Sequence, residues 1–166
     1  MKKKNHNFSF VVILDNIRST YNVGAIFRTA DAAGVSKIYL CGITPAPPNP
    51  KISKTALGAE KFVPYEKITQ TWRLLDKLKH ESYKIIALEQ TKNAKNIFQF
   101  RKLKATKIAL ILGTEVKGLS KNILKRCDFQ LEIPMYGQKE SLNVAVAFGI
   151  AGYQMRNLLE RNKTSL

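Results

Sequence analysis

The chain is short of cysteine, histidine and acid, and each shortage removes a class of protein. Its two cysteines, Cys41 and Cys127, stand far apart and form no Cys-x-x-Cys pair. A disulfide framework is therefore excluded, and a reduced, cytoplasmic protein is the simple expectation. His6 and His80 have no ligand spacing to either cysteine, so no metal site is expected, and His80 is placed at an exposed helix end. No apolar run approaches the roughly 20 residues of a membrane span, so no membrane partner is expected. The opening MKKKNHNFSF is basic but polar residues return at Asp15 and Asn16 before any h-region develops. It reads as a mature N-terminus, not a signal peptide. Nucleotide-fold fingerprints are missing too. Residues 113–118 have P-loop glycine spacing, but Leu119 stands where the phosphate-gripping lysine belongs. No Gly-x-Gly-x-x-Gly follows the first apolar run, and neither a Gly-x-Ser-x-Gly elbow nor a central histidine is present, which removes dinucleotide binding and triad hydrolysis.

What is present in excess is positive charge. Lys and Arg number 28 against 12 Asp and Glu, a net charge of +16 on 166 residues. On charge alone the expected partner is a polyanion: RNA, DNA or an anionic membrane surface. The charge is spread along the chain, with one acid-free run at 92–107 holding Lys92, Lys95, Arg101, Lys102, Lys104 and Lys107. Phe98 and Phe100 lie beside it, and core packing next to a solvated loop is favoured for them over base stacking.

The length suits a single domain, residues 1–166. Apolar runs at 8–14, 37–41, 84–88, 107–112 and 129–133 read as strands. Helices are expected at 23–33, capped by Asn22 and stopped by Gly34, from Thr69 to near Ser82 with Trp72, Leu75 and Leu78, weakly near Ile97, and at 121–125. The Pro-rich stretch 42–65 is expected to be irregular. Strands alternating with helices give an α/β fold, a mostly parallel sheet with helices on both faces. Ligands in such sheets sit beyond the carboxyl ends of the strands. The loops 15–22, 89–91, 113–118 and 135–141 gather at that edge. A last helix, expected to start at a Ser141 cap, is apolar almost all round (Leu142, Val144, Val146, Ala147, Phe148, Ile150, Ala151, Tyr153). It should be buried on one side by this core and on the other by a second subunit.

Three loop motifs stand in order, each at a strand end: NVGAIFRTADAAG at 22–34, LILGTEVKGLS at 110–120 and IPMYGQKESLNVAVAFGIAGY at 133–153. With KTALGAEKF at 54–62, they make nearly the whole chain resemble the SpoU (TrmH-like) family of SPOUT-class RNA 2′-O-ribose methyltransferases. The resemblance implies a C-terminal deep trefoil knot, an S-adenosyl-L-methionine cofactor, and a homodimer through the N-terminal motif helix and the C-terminal helix. It implies a cofactor site at Leu88, Gly113, Ile133, Met135, Ser141 and Leu142. It implies catalytic roles for Arg28, Asn22, Glu115 and Asn143, with Arg28 helping to remove the hydroxyl proton; because a guanidinium is essentially never deprotonated, clamping an RNA phosphate is the role expected of Arg28 instead. Arg18, Lys51, Lys54 and Lys117 are candidates for RNA phosphate contacts. The acceptor is expected to be a ribose 2′-hydroxyl of tRNA, in the D-loop or at the anticodon wobble position, or else of rRNA. The alternatives are a non-catalytic basic RNA-binding protein of the same fold, or methylation of an RNA base.

Overall fold

The computed structural model describes residues 8–163 apart from Glu115. Seven parallel strands form one sheet: β1 (Ser9–Asp15), β2 (Lys37–Cys41), β3 (Tyr65–Ile68), β4 (Lys84–Leu88), β5 (Lys95–Asn96), β6 (Lys107–Leu112) and β7 (Phe129–Glu132). Their spatial order is β3-β2-β1-β6-β4-β7-β5. The apolar runs of β1 and β6 pair directly, Ser9 to Leu14 against Lys107 to Leu112. Alternate side chains of each strand go to opposite faces. Phe10, Val12 and Leu14 join one buried cluster, whereas Val11 and Ile13 join the other.

The first cluster is covered by α1 (Thr20–Ala32), α2 (Pro50–Ala56) and α5 (Val144–Lys163), the second by α3 (Thr71–His80) and the short α4 (Lys121–Leu124). His80 is exposed at the last position of α3. Among the described residues no helix is long and apolar enough to cross a membrane, and no cluster of ligating side chains could hold a metal ion.

Several local expectations are corrected. Ser19, not Asn22, caps the first helix: its side chain accepts from the Asn22 amide at 3.2 Å. Asn143, not Ser141, caps the last one, its Oδ1 accepting from the Ala145 amide at 2.9 Å and the Val146 amide at 3.3 Å. The stretch 42–65 is irregular only in part: residues 42–49 form no helix or strand, but ordered elements follow. Asn49 accepts from the Lys51 amide at 2.9 Å, Pro50 opens α2, and Ile52, Ala56, Ala59 and Val63 are buried. Gly24 is where α1 and α2 meet, since a Cβ there would lie 2.3 Å from the Ile52 carbonyl oxygen. Near Ile97 there is no helix but the two-residue β5, hydrogen-bonded onto β7 through Ile97 N–H to Glu132 O at 2.9 Å. Phe100 is buried against Phe129 with ring centroids 5.1 Å apart, while Phe98 is exposed. Within this chain the last helix meets the core, as expected, through Val144, Phe148, Ala151 and Met155, and on the side expected to face a second subunit Val146 and Tyr153 are each 53% exposed.

Candidate active site

The carboxyl ends of β4, β6 and β7 are neighbours in the sheet, so the segments leaving them converge. Backbone bonds fix this edge: the Glu89 N–H donates to Leu131 O at 2.9 Å, and the Gly118 N–H to Thr114 O at 2.9 Å. The turn at 114–118 folds back so tightly that a Cβ on Gly113 would lie 2.7 Å from the Gly118 carbonyl carbon. Gly118 itself has φ +60°, in the left-handed region that glycine tolerates.

These segments enclose a pocket. Leu88, Gly113, Ile133, Met135, Ser141 and Leu142, the expected cofactor residues, all line it. Its walls are apolar side chains and loop backbone, the surfaces that suit a planar heterocycle with polar substituents.

Glu89 also lines the pocket, and nothing in the sequence singled it out. One carboxylate oxygen accepts from the Leu119 amide at 2.8 Å and the other from the Gln90 amide at 3.1 Å. It ties the segment after β4 to the turn after β6. An acid immediately following a buried strand at the ligand edge was the signal available.

Two of the expected catalytic side chains meet. Asn143 Nδ2 donates to Asn22 Oδ1 at 3.1 Å, joining the first turns of α1 and α5 beside the pocket. Arg28 is elsewhere. Six residues on, about 9 Å along the axis of α1, it lines a separate hollow with Ala25, Thr29, Lys54, Leu57 and Tyr153. Glu115 lies outside the described residues. Lys54 shares the Arg28 hollow, Lys51 is exposed on α2, and Arg18 and Lys117 share a third hollow at the ends of β1 and β6. The six cations of the 92–107 run are exposed.

Neither cysteine is placed for nucleophilic chemistry. Burial pushes both thiols up to about 12, which keeps them protonated at neutral pH.

The fold is shared with solved methyltransferases. The A. aeolicus TrmH/SpoU tRNA modifying enzyme superposes with a TM-score of 0.84 at 29% identity, over 98% of this chain and 80% of that one. The AdoMet-bound rRNA methyltransferase of Sinorhizobium meliloti gives 0.83 at 27% identity, over 91% of this chain and 57% of that one. In sequence, a Staphylococcus epidermidis protein assigned to the TrmH family of tRNA/rRNA methyltransferases is 32% identical over 155 residues, 93% of this chain and 61% of that protein. Residues 9–153 match the SpoU rRNA Methylase family, and the chain belongs to it. It spans about 61% of the length of the curated relatives it matches.

Proposed function

We propose that the chain is an S-adenosyl-L-methionine-dependent RNA methyltransferase acting on a ribose 2′-hydroxyl of tRNA or rRNA. The observation that carries the reading is the pocket at the ends of β4, β6 and β7. It gathers residues of the second and third motifs with Leu88, in a chain belonging to the SpoU rRNA Methylase family. The residues fit the cofactor. Leu88, Ile133 and Leu142 offer an apolar slot, and the folded-back turn after Gly113 keeps side chains off its edge. When bound there, the cofactor supplies an electrophilic methyl group on sulfur.

A ribose hydroxyl is a poor nucleophile and must lose its proton as the methyl is transferred. A guanidinium is effectively never deprotonated, so Arg28 acts by gripping an RNA phosphate and orienting the ribose oxygen. A phosphate oxygen or water takes the proton. Asn22 and Asn143 orient the acceptor at the joined helix starts, and Glu115 holds Arg28 or a backbone amide. Lys51, Lys54, Arg18 and Lys117 hold further phosphates. Placement supplies a large part of the acceleration.

Arg28 reaches that role in a homodimer. Tyr153 lines the Arg28 hollow and belongs, with Val146, to the uncovered side of α5. A second copy packed through α1 and α5 covers this apolar surface and completes the acceptor site. The deep trefoil knot is part of the same reading. To bring Asn143 beside Asn22, which follows β1, the chain leaving β7 passes the ends of β4 and β6, the course that such a knot requires.

The test is transfer of a labelled methyl group from S-adenosyl-L-methionine to total tRNA and rRNA, followed by digestion to nucleosides. A 2′-O-methylnucleoside is expected. A base-methylated product would overturn the ribose assignment, and a chain that binds RNA but no cofactor would overturn the enzymatic one.

A further inference from the structure

Beside the cofactor pocket lies a hollow of which the methyl-transfer reading uses only the rim cations Arg18 and Lys117. It sits at the carboxyl ends of β1, β3 and β6, and Thr114 lines both cavities. The wall between them is the turn 114–118, held by Gly118 N–H to Thr114 O at 2.9 Å and by Lys117 N–H to Thr114 Oγ1 at 3.1 Å. A ligand filling one cavity therefore lies next to whatever fills the other.

The lining has three kinds of group. Arg18 and Lys117 are exposed at its rim, with no ion pair among the described residues. Trp72, at the start of α3, contributes an indole that is 37% exposed. That ring is flanked by two guanidiniums, with the Arg73 carbon 5.2 Å and the Arg126 carbon 5.5 Å from its centroid. Arg126 is itself fixed by Asp76 at 3.1 Å and by the Asn122 carbonyl at 3.0 Å. Deeper in, Asp15 is buried and accepts hydrogen bonds from the Thr71 hydroxyl and the Asn16 amide. A carboxylate there repels phosphate but complements the amino or imino edge of a base. Cations at the rim, a supported aromatic face and an acceptor at depth together match one unstacked nucleotide.

We propose that this hollow is a nucleotide subsite for the RNA substrate. A base enters against Trp72, and its flanking phosphates are held by Arg18 and Lys117. The proposal rests on the RNA reading above and adds a position that no motif marked. It makes the strand leave its own stack immediately next to the methyl donor, so single-stranded or looped RNA is preferred over a continuous duplex.

Trp72 is the only tryptophan in the chain, so its emission reports this hollow alone. The chain is titrated with a mixed-sequence single-stranded oligoribonucleotide and, separately, with heparin, a polyanion without bases. The oligonucleotide is expected to quench the emission, whereas heparin binds without quenching. Trp72→Ala is expected to lower oligonucleotide affinity roughly tenfold, with Trp72→Phe restoring most of it, and both are checked for native circular dichroism and unchanged cofactor binding. Arg18→Ala is expected to flatten the salt dependence by about one counterion. If the oligonucleotide binds but the emission and the Trp72→Ala affinity do not change, the subsite is refuted and the RNA reading stands. Quenching by heparin equal to that by RNA would also refute base stacking. If no RNA binds at all, both readings fail together.

Discussion

The cofactor pocket and the Arg28 hollow are built on opposite plans. The pocket is closed by backbone: loops after three adjoining strands, tied by the Glu89 carboxylate and by a turn in which Gly113 nearly touches Gly118. The Arg28 hollow is an open surface between α1, α2 and α5, lined by Arg28, Lys54, Leu57 and the half-exposed Tyr153. On the proposed reading, one region holds the methyl donor and the other meets the RNA. A methyl donor needs only rigidity around it, whereas the acceptor is carried on an RNA that must enter and leave.

This contrast can be broken most sharply at Arg28. Arg28→Ala is expected to lower methyl transfer by roughly 10²–10³-fold, the cost of losing a positioning and charge-stabilising group, with cofactor affinity unchanged by calorimetry. Wild-type turnover in that variant would remove Arg28 from the acceptor site. Gly113→Ala should do the reverse. Its added Cβ meets backbone at 2.7 Å, and overpacking costs about 1–3 kcal/mol, so cofactor affinity should drop about tenfold or more. Undiminished affinity would mean that the turn is not what shapes the pocket. Tyr153→Glu places a charge on the uncovered side of α5. It should shift a dimer toward monomer in analytical ultracentrifugation and lower transfer while cofactor still binds. A smaller effect is expected from Asn143→Ala, which removes both the α5 cap and the bond to Asn22. Loss of such a cap costs about 1 kcal/mol, readable in the denaturant midpoint. A midpoint equal to wild type would leave the Asn22 pairing without structural weight. The mildest effect concerns pH. Because burial raises the Cys41 and Cys127 thiols to about 12, the folded chain keeps protons that the unfolded chain loses from about 9 upward. Stability from this source is complete below pH 9 and declines as pH rises toward 12. Cys41→Ala should flatten that decline, and an unaltered pH profile would show the thiol to be irrelevant.

Much of the scaffold was legible because buried parallel strands are continuous apolar runs. Residues 37–41, 84–88 and 107–112 needed no partner to be recognised, and β2, β4 and β6 occupy those ranges. What was missed depended on pairing or on competition between similar residues. β5 is two residues long and exists only because β7 lies beside it. In β3, Tyr65 ends the stretch read as irregular and residues 66–68 carry no reading, because a Tyr-Glu-Lys-Ile alternation of four residues is too short to stand out. The α2 start, Asn49 followed by Pro50, did carry a cap signature, and the surrounding prolines masked it. Ser141 and Asn143 are both good caps, and what distinguishes them is that the helix starts at Val144 with the Ala145 and Val146 amides bonded to Asn143 Oδ1. At the site, the six expected cofactor residues were found through motifs and lie on one pocket. Glu89 was passed over because its partners, the Leu119 and Gln90 amides, are backbone groups that sequence reasoning does not display. The separation of Arg28 from the pocket was likewise invisible, since a motif does not say which cavity a helix face borders.

The sheet order has a consequence for a ribosome making this protein. When Leu112 has emerged, β1, β2, β4 and β6 can already associate, but the flank of β4 that will receive β7 is still an open edge. Such an edge is a template for mispairing with other chains. It stays open until residues 129–132 are translated, and the far wall of the pocket follows only with residues 133–147. The nascent chain is therefore most vulnerable to aggregation in the interval just before it can first hold a small molecule.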